Sequence, residues 1–164
     1  MGKAMGWYQG GAVATVLAMG IALTAVPAAA CEGPGGAAGL RQEVEAWINE
    51  ARRANGLAAL RMSSELQSSA TAHACDMAVS GHFGHDVPGG PTFTQRLKQA
   101  GFRFRAANEN IAYTGSTSVA RVTSLWRESG GHWANVLDPK VREIGVGIAQ
   151  AGGRIYWVTN SGTQ

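Results

Sequence analysis

The spacing of apolar residues changes once along this chain, and the change limits the folds open to it. Leu40, Val44, Trp47, Ile48 and Ala51 recur at i, i+4, i+7, i+8 and i+11, the stripe of an amphipathic helix that Gly56 stops. Ser64 with Gln67 forms a capping box for a second helix, on which Leu66, Ala70, Ala74, Met77 and Ala78 keep helical spacing to Gly81. Thr92 with Gln95 opens a short third helix closed by Gly101, and Val119, Val122, Leu125 and Trp126 mark the last substantial one. From Glu143 the period falls to two: EIGVGIA alternates branched residues with glycine, AQAGG supplies a turn, and RIYWVTN is β-branched and aromatic. FRFR at 102–105 has the same alternation and reads as a strand with one solvated face. Helices first and a hairpin last, without regular βαβ alternation, predict an α+β fold with an antiparallel sheet and helices packed on it.

The first thirty residues lie apart from this pattern. Lys3 is their only charge, and an uncharged run from Gly11 to Val26 leads through Pro27 into Ala28-Ala29-Ala30, the layout of a secretory signal cleaved after Ala30. A retained membrane anchor is the alternative, but the apolar run is shorter than the ~20 residues of a membrane-spanning helix, so the mature chain is expected to lack a transmembrane segment. Residues 31–39 read as a flexible linker rich in glycine and alanine. Residues 40–164 read as one domain, since 134 residues remain after cleavage and suffice for one core.

Charge excludes one function class. Without Lys3 the formal net charge of +3 falls to +2, with 13 basic side chains against 11 acidic ones spread along the chain. A nucleic-acid surface needs the basic residues clustered.

Only Cys31 and Cys75 are available for thiol chemistry. On a helical wheel Cys75 lies about 180° from Leu66, which places it off the core. A Cys31–Cys75 disulfide suits an oxidising compartment; the alternative is lipidation of Cys31, which leaves Cys75 unpaired and makes the protein a lipoprotein.

Candidate functional groups fall at segment ends and in glycine-rich connections, where scaffolds present binding residues. They are His82 and His85 in SGHFGHDVPGG, Glu109 in NENIA, Glu128 at a helix end, and His132 after Gly130-Gly131. Imidazole and carboxylate together suit a divalent metal or acid–base chemistry. His82 reads as a solvent-facing residue at a helix end, His73 as a buried hydrogen-bonded histidine, and Trp126 and Trp157 as core. No C-x-x-C, Walker, H-E-x-x-H or G-x-S-x-G pattern occurs.

The segments NEARRANGLAALRMSSELQSSATAHACDMAVSGHFGHD, RLKQAGF, ENIA, LWRESGGHWANVL, IGVGIA and YW, in this order, resemble the bacterial branch of the CAP superfamily. These are the cysteine-rich secretory, antigen 5 and pathogenesis-related proteins, and the likeness runs from about Leu40 to Gly162. The resemblance implies an α-β-α sandwich with a small antiparallel sheet, and a central cleft lined by two histidines and two glutamates that in some members binds a divalent metal such as zinc. By motif position His85, Glu109 and His132 match three of these four residues. At the fourth place stands Ser129, with Glu128 one residue early and, by the 100° step of a helix, turned elsewhere. Two imidazoles and one carboxylate suit an open zinc site or, equally, a hydrogen-bonded structural triad.

Two functions follow as expectations. One is a secreted or periplasmic, monomeric, non-catalytic module that binds a lipid, peptide or other small ligand or associates with the cell envelope. The other is a metal-assisted hydrolase using His85, Glu109 and His132.

Overall fold

The structure is a computed structural model that describes residue 31 and residues 33–164; the expected signal segment lies outside the described residues. Nine elements follow in chain order among the described residues. They are α1 (Ala37–Ala54), β1 (Arg61–Met62), α2 (Ser64–Ser80), α3 (Phe93–Gln99), β2 (Ala106–Thr114), α4 (Val119–Glu128), α5 (Gly130–Val136), β3 (Glu143–Ala151) and β4 (Arg154–Thr163).

The strands form one sheet in the order β1-β3-β4-β2, antiparallel except where two-residue β1 runs parallel to β3. The predicted hairpin is β3–β4. Ala151 pairs with Arg154, and the two-residue connection Gly152-Gly153 has φ of 56° and 73°, which suits a primed turn.

Period two along the strands sorts the two faces. Ile144, Val146, Ile148, Ile155, Trp157 and Ala112 point to one side, where α1, α4 and α5 bring Val44, Ile48, Val122, Trp126 and Val136. Ala149, Tyr156, Val158 and Ile111 point to the other, against Ala70, Ala74, Met77 and Ala78 of α2. The two layers of helices enclosing one sheet are the expected α-β-α sandwich. On the α2 face β3 has no side chains at Gly145 and Gly147. A Cβ at Gly145 would run into the backbone of Leu66 and Gln67, and one at Gly147 into that of Ala70 and Thr71. The glycines let the helix lie directly on the strand.

Several elements differ from the sequence expectation. α1 starts at Ala37, so three residues assigned to the linker are helical; Pro34 is buried and Cys31 packs against the second core cluster. The cap of α2 is Ser63, whose Oγ accepts from Leu66 N at 3.3 Å, and not Ser64. Ser63 N donates to Ile144 O, which keeps that residue extended and starts the helix one position early.

FRFR is not a strand, although its burial alternates from Phe102 to Arg105. Phe102 N is used up on Leu97 O, closing α3 before the ladder of β2 begins. Glu109 consequently sits within a strand and not in a connection. α5 was not expected, and places His132 in a helix. Cys75, expected off the core, is half-buried against the second cluster beside Cys31.

Candidate functional site

Glu109 is the centre of the polar arrangement. Its place on β2 turns its side chain to the α2 face, where only 2% of it remains exposed. A carboxylate removed from water needs a cation and hydrogen bonds, and α3 supplies the cation. Arg96 Nη2 donates to Glu109 Oε2 at 2.9 Å and to Oε1 at 3.1 Å, with the arginine side chain equally buried. β4 supplies a further donor: in the amide orientation that satisfies its neighbours, Asn160 Nδ2 donates to Oε2 at 3.0 Å, while its oxygen accepts from Ala70 N and Ser69 Oγ.

Arg96 also fixes the histidine loop. Its Nη1 donates to Pro91 O and its Nη2 to His85 O, both at 2.9 Å. Asp86 Oδ1 accepts from Phe93 N at 3.0 Å, tying the same loop to the start of α3. The capping box of Thr92 and Gln95, read from the sequence, sets α3 at the angle that makes these contacts possible.

The loop thereby brings His85 Nδ1 to 2.9 Å from Glu109 Oε1. This contact pushes the His85 pKa above its ordinary value, against the effect of partial burial. His73 of α2 is fully buried, with Nε2 at 3.7 Å from the same oxygen, and both of its ring nitrogens lack a hydrogen-bond partner. Burial lowers its pKa.

His132 approaches from the other helix layer. Asn110 Nδ2 donates to His132 O at 3.0 Å, and Asn135 Nδ2 donates to Asn110 Oδ1 and Glu109 O, so α5 is stitched to β2 by asparagines. The imidazole Nδ1 is buried without a partner. Burial, and then the charge of His85, lower the His132 pKa. The two imidazoles are thus within electrostatic reach of each other.

Of the other candidates, Glu128 is exposed and accepts from Ser124 Oγ at 2.6 Å, away from this cluster. Ser129 lines a cavity with His132. His82 is exposed, and the end of α2 is closed by Gly81.

The donor set can be tested against a metal. Both oxygens of Glu109 are occupied by Arg96, His85 and Asn160, so this carboxylate orients His85 instead of offering a ligand position. Among the described residues no group of three His, Cys, Asp or Glu side chains is placed to hold an ion. What remains is the second nitrogen of His85 and the ring of His132.

Arg96, Asn110, Asn135 and Asn160 were not singled out in the sequence. A signal was present for the first of them. Two residues before Ile111, Glu109 shares its face at period two and requires a buried cation if that face turns inward, and Arg96 lies 13 positions away in the chain.

Next to the polar cluster is a largely apolar cavity of about 510 Å³. Ile111, Ala112, Leu125 and Trp126 line it, Phe83 and Tyr113 stand at its rim, and Arg121, Ser129 and His132 add polar groups. Phe83 and Tyr113, 40% and 45% exposed, meet edge to face at 5.0 Å.

The sequence model of the Cysteine-rich secretory protein family matches residues 46–161. The YkwD protein of Bacillus subtilis (strain 168) is 31% identical over 119 residues, covering 73% of this chain and 46% of that protein; the chain thus spans about half the length of the relative it matches. Among solved structures, an extracellular protein containing a SCP domain from Bacillus anthracis superposes with a TM-score of 0.72 at 26% identity, over 77% of this chain and 41% of that one. The fold alone is shared with NaASP2, solved with Zn2+, at a TM-score of 0.52 and 12% identity over 83% of each chain.

Proposed function

The chain belongs to the cysteine-rich secretory protein family, and we propose that it is an extracellular, non-catalytic, monomeric binding module whose ligand, a lipid or peptide, places its apolar part in the cavity beside His132. The supporting observation is the cavity itself. Cavities of this size lined mainly by carbon, with a few convergent polar groups, are what ligand sites look like. Partly exposed aromatic residues at its rim leave apolar surface that a bound molecule would cover.

Secretion fits this reading. The N-terminal thirty residues have the layout of a signal, the matched relative from Bacillus anthracis is extracellular, and no helix among the described residues is long and apolar enough to cross a membrane.

Titration with the fluorescent fatty acid cis-parinaric acid tests the proposal. Saturable one-to-one binding is expected, with energy transfer from Trp126, and Leu125→Asp should weaken it by roughly tenfold, the effect of burying one unpaired charge against the ligand. If neither the fatty acid nor a peptide shows saturable binding, the module has another role.

The hydrolase reading is second, and the buried unpartnered Nδ1 of His132 favours it. Zinc held by His85 and His132 would supply a Lewis acid and an acidified water. The residues here would contribute the two imidazoles and Glu109 as the group that keeps His85 in one tautomer. Calorimetric zinc titration of the wild type and of the His85→Ala, His132→Ala double variant separates the readings. Tight binding lost in the variant supports the metal, and equally weak binding by both removes it.

A further inference from the structure

Among the described residues β2 pairs with β4 on one side only, so its other side is the edge of the sheet. Part of that edge is already covered. Asn135 Nδ2 donates to Glu109 O at 3.1 Å and Trp126 Nε1 to Ile111 O at 3.3 Å. In an antiparallel ladder the N–H and C=O of one residue point to the same side and successive residues alternate. Glu109 and Ile111 therefore direct their main-chain groups away from β4, and so does Tyr113, two residues further on. Among the described residues no side chain bonds the main chain of Tyr113. Beside Tyr113 the apolar cavity opens, walled by Ile111 to Thr114 of β2 and by Gly115 just after it.

The opposite wall is α4. Arg121 and Leu125 fall at i and i+4 and so share one helical face toward the cavity, with Trp126 and the C-cap residue Ser129 completing the wall. Arg121 is exposed at one end of the groove and forms no ion pair among the described residues.

We propose that this groove binds an extended peptide by strand addition: the peptide becomes a fifth strand on β2, bonds the N–H and C=O of Tyr113, sends alternate side chains toward Leu125 and Ala112, and sets a carboxylate against Arg121. A strand edge facing a helix across an apolar groove is the geometry with which domains capture extended peptides. An acyl chain would cover the same main-chain groups without bonding them and would leave them unsatisfied, whereas a peptide main chain pairs them. The inference rests on the binding-module reading above and names its ligand class.

The test uses a synthetic hexapeptide library, randomised at every position with free C-termini, selected on the full-length protein. The best peptide is remade N-methylated at alternate residues in each of the two registers, and again with an amidated C-terminus. Methylation in one register is expected to weaken binding by roughly tenfold or more, since it removes main-chain donors, and methylation in the other to change it little. Hydrogen exchange at the Tyr113 amide should slow when the peptide is bound, the more so as its concentration exceeds Kd.

Arg121→Gln should weaken binding. Loss on amidation as well assigns the carboxylate to the peptide terminus, and retention assigns it to an acidic side chain. Equal affinity of both methylated peptides, or saturable cis-parinaric acid binding with no peptide selected, overturns strand addition while leaving the binding module standing. Failure of fatty acid and peptides alike removes both. A concentration-dependent dimer that the peptide dissociates would assign the edge to a second copy of the chain and count against a foreign peptide.

Discussion

Glu109 carries a charge where only 2% of its side chain meets water, and that fact governs much of what surrounds it. The carboxylate is stable there because Arg96 lies against it, and the pair must be judged as a unit. Removing one partner leaves the other buried and unpaired, which costs about 3–5 kcal/mol, whereas replacing both with apolar residues of similar size is often neutral. Urea unfolding should therefore find Arg96→Met and Glu109→Leu each strongly destabilised and the Arg96→Met, Glu109→Leu double variant destabilised by clearly less than the sum of the two, although Pro91 O, His85 and Asn160 lose partners in it as well. A double variant that merely adds the two losses would show that the pair is not coupled. The histidines near Glu109 respond to pH with opposite signs. His85 has a pKa raised by its hydrogen bond to Glu109. Its contribution is complete below the unfolded value of about 6.5 and is lost as pH rises through the higher folded value. His73 has a pKa lowered by burial, so it costs stability as pH falls below about 6.5 toward its folded value. The melting temperature of His85→Gln should thus fall short of the wild type by more near pH 5.5 than near pH 8.5, conditions on either side of the ordinary histidine value. In the same variant the His132 resonances should titrate higher, because His85 is one of the two causes that lower its pKa.

At the scale of elements, the contact of α2 with β3 depends on atoms that are not there. Gly147→Ala would set a methyl group against the backbone of Ala70 and Thr71, where no side chain can rotate away. Overpacking of this kind costs about 1–3 kcal/mol or more, and chemical denaturation should show a loss at or beyond the upper end. Gly39→Ala is the control: it lies in α1 with open space around a Cβ, so it should stabilise by about 0.5–1 kcal/mol. A similar loss in both variants would refute the close approach. The alternation that marked EIGVGIA as a strand was legible, but the reason for its glycines was not, because Ala70 lies far away in the chain. The other differences likewise depend on partners that periodicity does not report. The burial period of FRFR was correct, yet strand formation depends on where Phe102 N finds its acceptor, and that acceptor is Leu97 O. α5 begins with two glycines, poor helix formers, and is held by Asn110 donating to His132 O and by Trp133 packing against Trp47 at 6.0 Å. Periodicity reports a local preference and cannot report which partners, near or far in the chain, the backbone and side chains find.

At the scale of the whole molecule, the polar cluster forms where the loop after α2, α3, β2 and β4 meet, with His132 reaching toward it from the opposite helix layer. Spacing alone could not bring His85 to Glu109, 24 residues apart, and it was family likeness, not periodicity, that put them in one cleft. The N-terminal segment joins the same assembly by a different route. Cys31 and Cys75 both pack against the second core cluster, with Cys75 Sγ 3.9 Å from Cys31 O, although they are 44 positions apart. A disulfide here would close that length of chain and stabilise the fold by about 4 kcal/mol, chiefly by restricting the unfolded state. Were Cys75 instead free, burial first and its contact with Cys31 next would push its pKa up to about 12, leaving almost no thiolate near neutrality. Such a thiol is a poor nucleophile. The two states therefore separate in one experiment on protein secreted into an oxidising compartment. Denatured without reductant, the disulfide form should take up no alkylating agent, and reduction should add two groups and lower the melting temperature. Lipidation of Cys31 predicts a single thiol, silent toward the reagent in the folded protein and reactive once unfolded, together with a mass increase at the mature N-terminus. That outcome would make the protein a membrane-tethered module, with its cavity presented at the cell surface instead of released from it.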